Sequence, residues 1–125
     1  MPSSLTLQRS LRGDVAVITV DGFLDAHTAP QFEQALQQEI ADGRVKLVVD
    51  CPKLTYISSA GLGVFMGFIE EVREQGGDIK VSGLTPKVRQ VFEILGFETI
   101  FELFDNVQGA LERFGADSNT PREAR

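Results

Sequence analysis

Two adjacent hydroxyls dominate the chemistry available to this chain. Ser58-Ser59 is followed at once by Ala60-Gly61-Leu62-Gly63, and Asp50-Cys51-Pro52-Lys53-Leu54-Thr55-Tyr56-Ile57 precedes it. Apolar residues recur at helical spacing from Leu62 onward, so the serines fall at a helix start. A helix start offers free N–H groups and a partial positive charge, which suits an anion. Glycines there let another backbone come close. One serine at such a place is explained by capping. Two adjacent serines exceed what one cap needs, and Tyr56-Ile57 before them suggests a loop anchored by burial with the serines left at the surface.

Other arrangements of reactive residues fall short. Gly61-Leu62-Gly63-Val64-Phe65-Met66-Gly67 has one residue too many for G-x-G-x-x-G, and no Lys-Ser/Thr follows it as in a phosphate loop. Those glycines suit close packing or partner contact. A Ser-His-Asp system would have to use His27, the one histidine, and neither serine lies in G-x-S-x-G. A serine-dependent enzyme is therefore a remote alternative, and no catalytic residue is assigned. Cys51 follows an apolar run and reads as a small core residue. Glu70, Glu71 and Glu74 lie on one flank of a helix and read as a solvated face. Asp25 has two open roles, a turn former before a helix or a polar neighbour of the serine loop.

Composition narrows the class further. The 125 residues carry 12 Lys+Arg against 18 Asp+Glu, for a formal net charge of −6, with one His and one Cys. That length fits one domain with a real core. One Cys excludes a disulfide framework, and one Cys with one His leaves a Cys/His metal site short of ligands. No metal and no cofactor is expected. The acidic balance argues against nucleic acid, whose phosphates need Lys and Arg. No apolar run approaches a membrane span, and Met1-Pro2-Ser3-Ser4-Leu5 lacks the basic start and apolar stretch of a secretory leader. No membrane insertion and a cytoplasmic location are expected.

The elements that must hold the serines can be read along the chain. Leu5 to Arg9 and Val15 to Val20 predict strands of a hairpin around Arg12-Gly13-Asp14. Thr28 and Gln31 form a Thr-x-x-Gln capping box for a first helix with Pro30 in its first turn. Phe32, Ala35, Leu36 and Ile40 make its apolar face, Gln34, Gln37, Gln38 and Glu39 fall largely outside it, and Gly43 ends it. Val45 to Val49 predicts a central strand, Cys51 to Ile57 a loop, and Ser58–Gly61 to about Gln75 a second helix. Ile79 to Val81 predicts a strand, Thr85-Pro86 opens a third helix that stops at Gly96, and Thr99 to Phe101 forms a short edge strand. Asp105 caps a last helix bearing Val107, Ala110, Leu111 and Phe114. The alternation predicts an α/β fold: one domain over 1–114, a mixed central sheet with an opening hairpin and parallel βαβ units, and about four helices. Residues 115–125 are polar and are expected to form a disordered tail. Sites in such sheets collect where strands end and helices begin, which selects the loops Asp21–Thr28 and Asp50–Gly63.

At Ser58-Ser59-Ala60-Gly61-Leu62-Gly63 the chain resembles the STAS domain, and in particular the bacterial anti-sigma factor antagonists. Val48-Val49-Asp50 matches the family's strand and Asp before the serine loop. Asp21-Gly22-Phe23-Leu24-Asp25 is similar to its turn before the first helix. Val81-Ser82-Gly83-Leu84-Thr85-Pro86, Phe92-Glu93-Ile94-Leu95-Gly96-Phe97 and Ile100-Phe101-Glu102-Leu103-Phe104 through Ala110-Leu111 resemble later segments, so the likeness runs from about Leu5 to Phe114.

The resemblance implies a phosphorylation switch in a protein that is substrate and ligand, not enzyme. Ser59 takes the position of the phosphorylated serine. The partner it implies is an anti-sigma factor that is also a serine-protein kinase. The unphosphorylated form would bind that partner and release a sigma factor, and a PP2C-type phosphatase would reset the switch. The partner-binding set implied is Asp25, Ser58, Ser59, Ala60, Gly61, Leu62 and Gly63. Ser58 stands where many members have Asp, and Ala60 where others have Ser or Thr, which makes Ser58 a second acceptor candidate. The alternative within the family is a STAS module outside sigma control, such as a transporter-associated subunit or signalling scaffold.

Overall fold

The computed structural model describes residues 4–115. The opening hairpin pairs β1 (Leu5–Arg12) antiparallel with β2 (Val15–Leu24) around Gly13. After α1 (Ala29–Ala41), β3 (Lys46–Asp50) lies parallel to β2. Then come β4 (Leu54–Ile57), α2 (Ser59–Glu74), β5 (Asp78–Ser82) and α3 (Pro86–Ile94). A 3-10 turn (Phe97–Thr99), β6 (Leu103–Phe104) and α4 (Val107–Arg113) close the described chain. The six-stranded mixed sheet has the order β1-β2-β3-β5-β6, with β4 parallel to the far end of β2. This is the expected α/β architecture with four helices. The tail expected over 115–125 lies, beyond Gly115, outside the described residues.

Strand alternation assigns the two faces. Ala16, Ile18 and Val20 of β2 join Leu47 and Val49 of β3 under α1, α2 and α3. Val15, Val17 and Val48 point the other way and meet Ala110 and Leu111 of α4. Phe65 of α2 centres the larger core, with ring centroids 5.1 Å from Phe32, 5.7 Å from Phe92 and 5.6 Å from Phe101. Such aromatic contacts add to plain area burial.

Several local expectations are corrected. The segment Cys51 to Ile57 is not all loop, because Leu54–Ile57 is strand β4, with Leu54 and Ile57 buried and Thr55 and Tyr56 exposed. Tyr56 therefore does not anchor by burial. The edge strand is not Thr99–Phe101. Phe97 and Phe101 are 5.8 Å apart and both join the phenylalanine cluster, which turns the segment into a helical bend with a Phe101 N–H to Phe97 O bond of 2.8 Å. The strand follows at Leu103–Phe104. Asn106, not Asp105, caps α4 by accepting from Gly109 N–H at 3.0 Å. The Thr28–Gln31 capping box does not form, since the Thr28 hydroxyl is drawn back into the preceding turn.

Glu39 is the largest surprise. Expected outside the apolar face, it is 2% exposed and is clamped by two guanidiniums, Arg9 from β1 and Arg44 at 2.6 Å from the loop after α1. Burial alone would raise its carboxyl, but hydrogen bonds and charge from Arg9 and Arg44 hold it below the usual carboxylate range. On the opposite face, buried Lys80 bridges Asp78 at 2.9 Å and Glu102 at 2.6 Å and lies 4.6 Å from the Phe114 ring centroid. Burial opposes ionisation of Asp78 too, but Lys80 and Arg73 outweigh it and lower the carboxyl.

Candidate functional site

The site is built where β2 and β4 end side by side. Leu24 pairs with Ile57, and the next N–H, that of Ser58, donates to Leu24 O at 2.9 Å. This bond ties the start of α2 to the end of β2. The register of the two strands shifts between Gly22↔Leu54 and Phe23↔Tyr56, leaving Thr55 as the extra residue, and Gly22 beside the shift has φ +110°. A Cβ on Gly22 would sit 2.5 Å from Ser4 O, so the backbone needs glycine there.

Asp25 forms the corner that follows. Its Oδ1 accepts from His27 N–H at 3.0 Å and Thr28 N–H at 3.1 Å. The Thr28 hydroxyl donates to Phe23 O at 2.7 Å and accepts from Asp25 N–H at 3.0 Å. Of the two roles open in the sequence, turn former is therefore one that Asp25 performs. These bonds fasten β2 to α1 with little slack.

The helix start separates the two serines. Ser58 occupies the N-cap with extended backbone, yet its side chain makes no capping bond, and its Oγ is buried with no hydrogen-bond partner. Ser59 is the first residue of α2 and is exposed. The N–H groups of Ser59, Ala60 and Gly61 open the helix, where no carbonyl of its preceding turn can serve them. Ser59 is thus the accessible hydroxyl beside a patch of positive potential. Among the described residues, no hydrogen bond links the His27 ring to either serine.

The following residues divide between two tasks. Gly61 and Leu62 face inward: a Cβ on Gly61 would lie 2.7 Å from Leu24 Cγ and 3.0 Å from Leu24 O. Gly61 thus lets α2 rest on the strand end. Gly63 is exposed, and a Cβ there would meet nothing within 4 Å; the same is true of Gly67 one turn later. Ala60, Gly63 and Gly67 instead floor an open groove of about 520 Å³, walled across by Ala26, Ala29 and Glu33 of the α1 region.

A second polar group lies at the end of β3 and β5. The Ser82 hydroxyl donates to Asp50 Oδ1 at 2.8 Å. Burial raises the Asp50 carboxyl, the Ser82 bond works against that, and the Asp21 charge adds to it. Cys51 beside them is fully buried, and burial followed by the two negative neighbours pushes its thiol far above the ordinary range. That thiol is no nucleophile. Among the described residues, no group of three or more His, Cys, Asp or Glu could hold a metal ion, and no helix is long and apolar enough to cross a membrane.

The aromatic pair of this region went unread in the sequence. Phe23 and Tyr56 are exposed neighbours with ring centroids 5.8 Å apart. Leu54 to Ile57 is buried at both ends and exposed between, not the strict alternation that marks a strand, so no sequence signal singled the pair out.

An α/β domain that presents one open serine at a helix start, above a shallow small-residue groove, has the build of a recognition module acting through its surface. The particular family is clear. The STAS domain model matches residues 7–110, and the chain belongs to the STAS domain family. It is 34% identical over 94 residues to the anti-sigma-B factor antagonist of Listeria monocytogenes, covering 75% of this chain and 82% of that one. The crystal structure of an anti-sigma factor antagonist from Mycobacterium paratuberculosis superposes with a TM-score of 0.81 at 28% identity, covering 88% of this chain and 93% of the other. The phosphorylated form of the Bacillus cell fate determinant SpoIIAA shares the fold at a TM-score of 0.67 and 22% identity, over 89% of this chain and 99% of that one.

Proposed function

We propose that this chain is an anti-sigma factor antagonist switched by phosphorylation at Ser59. In its unphosphorylated state, the face around Ser59 binds an anti-sigma factor, which then releases its sigma factor. The same partner acts as a serine-protein kinase on Ser59, and a PP2C-type phosphatase restores the hydroxyl. The reading implies a cytoplasmic protein with one functional domain ending near Phe114.

One observation carries the choice of residue: Ser59 is exposed at the head of α2 while the Ser58 hydroxyl is buried. A kinase must reach the oxygen it modifies, and Ala60 supplies no competing hydroxyl. The phosphoryl group adds about −1.5 to −2 charge at neutral pH. The head of α2 tolerates that charge in its own domain, because free N–H groups face it. A partner that covers Ser59 must instead bury the dianion or leave. Each 1.4 kcal/mol lost is about tenfold in affinity, so a loss of a few kcal/mol frees the partner.

The test is incubation with the kinase and ATP, followed by mass spectrometry of the wild type, Ser59→Ala and Ser58→Ala. Phosphate is expected on the wild type and Ser58→Ala and absent from Ser59→Ala. Full phosphorylation of Ser59→Ala refutes the assignment.

A further inference from the structure

We propose that Phe23 and Tyr56 form an aromatic anchor that inserts into an apolar recess of the anti-sigma factor and supplies much of the affinity that phosphorylation then removes. This rests on the reading that the Ser59 face binds that partner.

The pair is exposed by construction. Phe23 is 45% and Tyr56 42% exposed, while their strand neighbours Leu24 and Ile57 are buried. The two rings face one another from register partners of β2 and β4, 5.8 Å apart and inclined by 36°. One exposed aromatic is ordinary, but two in contact make a patch. Aromatics of this size bury about 150–250 Å² each when covered and are enriched among the residues that dominate binding energy.

The backbone beneath them is held firmly. The register steps from Gly22↔Leu54 to Phe23↔Tyr56, so Thr55 is the extra residue of a bulge and Tyr56, not Thr55, is set opposite Phe23. Phe23 N–H donates to Ser4 O at 3.0 Å, and Phe23 O accepts the Thr28 hydroxyl at 2.7 Å. The Thr55 hydroxyl donates to Gly22 O at 3.1 Å, locking the neighbouring strand to the bulge. An anchor already ordered loses little freedom on binding.

Position identifies the occupant. Tyr56 lies three residues before Ser59, so their Cα atoms are at most about 11 Å apart. A standard interface covers about 800 Å² per partner, equivalent to a disc of roughly 16 Å radius. Leu24 and Ile57 point into the core under α1 and α2, so Phe23 and Tyr56 stand on the other face of the sheet, and a partner seated on Ser59 reaches them by wrapping the ends of β2 and β4. A second copy of this chain is disfavoured, because it would bring together two bodies of net charge −6. The partner's recess must be apolar, with a hydrogen-bond acceptor at its edge for the Tyr56 hydroxyl.

The experiment uses the full chain and the purified anti-sigma factor, drawn from those of the same genome, that forms a complex with the wild type. Affinity is measured by calorimetry for wild type, Phe23→Thr, Tyr56→Thr and the double variant. Thermal unfolding checks the fold, and the threonines keep strand-forming character. Each single variant is expected to bind at least tenfold more weakly. Kinase assays on Ser59 should show a raised KM with kcat unchanged, which general damage to the acceptor would not produce. If both single variants bind within twofold of wild type, the anchor is wrong and the Ser59 switch stands. If Phe23→Thr abolishes a dimer seen in sedimentation while binding the anti-sigma factor normally, the pair is a self-association surface and the proposal fails. If the wild type binds no anti-sigma factor of its genome, the anchor and the proposed function fall together.

Discussion

Replacing Gly63 by Ala should make the protein more stable and its partner binding weaker. Gly63 lies inside α2, exposed, and a Cβ added to it would have nothing within 4 Å. Glycine in an exposed helix interior costs about 1 kcal/mol relative to alanine, through the freedom lost on folding. Among the described residues, none uses the space that this glycine leaves open. Gly63→Ala should therefore raise the stability by about 0.5–1 kcal/mol. Gly61→Ala provides the contrast. Its Cβ would fall 2.7 Å from Leu24 Cγ and 3.0 Å from Leu24 O, the carbonyl that accepts the Ser58 N–H. Overpacking costs about 1–3 kcal/mol, so the helix gain is cancelled or reversed.

Urea titration measures both effects as shifts of the unfolding midpoint at constant slope. Calorimetry against the anti-sigma factor measures the other half. A methyl group pressed into a tight contact costs about 1–3 kcal/mol, so Gly63→Ala should weaken binding tenfold or more. A lower midpoint for Gly63→Ala would refute the open-face geometry. A higher midpoint with unchanged affinity would show that the groove beside α1 is not where the partner sits.

Three further outcomes are expected. Ser58→Ala should change stability by less than about 0.5 kcal/mol, since its hydroxyl makes no capping bond to lose, whereas a working cap is worth roughly 1 kcal/mol; urea titration decides. Glu39→Gln should destabilise by about 2 kcal/mol at pH 7, with the more exposed Arg9 contributing less than the more buried Arg44. Because the folded carboxyls of Glu39, Asp78 and Glu102 lie below their ordinary values, their stabilisation is complete above the usual carboxylate range. It is lost as pH falls through their lowered values, so urea midpoints should drop there, and less steeply in Glu39→Gln. Asp50 has the opposite sign: its raised folded carboxyl opposes stability at neutral pH, and acid relieves that opposition. Asp50→Asn, which keeps an acceptor for Ser82, should stabilise at pH 7 and lose that advantage below the carboxylate range.

The main frame was legible because it rests on local signals. The β-branched run Val15 to Val20 could only be a buried strand, and Phe32, Leu36, Leu62, Phe65 and Ile69 repeat at helical spacing. β4 escaped because four residues behind Pro52 carry too short a pattern, and its pairing to β2 exists only once the chain has folded. Glu39 escaped for a related reason. A glutamate near the end of an amphipathic helix looks solvated until Arg9, from the far side of the hairpin, is brought to it. The two serines were indistinguishable by type. What separates them is one step of helix phase: Ser58 turns its oxygen inward under the end of β2, and Ser59 turns outward. That choice is set by the Ser58 N–H to Leu24 O bond, a contact between segments far apart in the sequence.

Under the proposed switch, the same geometry lets a charge added at Ser59 act on the partner and spare the fold. Within the domain, an anion at the first position of α2 meets N–H groups and a favourable dipole, worth about 0.3–1 kcal/mol at an exposed site. The charged staples that hold the scaffold, Glu39 with its two arginines and Lys80 with Asp78 and Glu102, sit away from that position: one joins β1 to α1, and the other secures α4 and β6. A partner covering Ser59 faces the reverse balance. It must remove water from a dianion, and an unpaired buried charge costs several kcal/mol even after relaxation. The two effects differ in sign as well as size, so one phosphoryl group can leave the domain folded while reducing its affinity by orders of magnitude. Ser58 and Ala60 flank Ser59 and neither is an acid, so the unphosphorylated state of the proposed switch gains no charge from them at the contact.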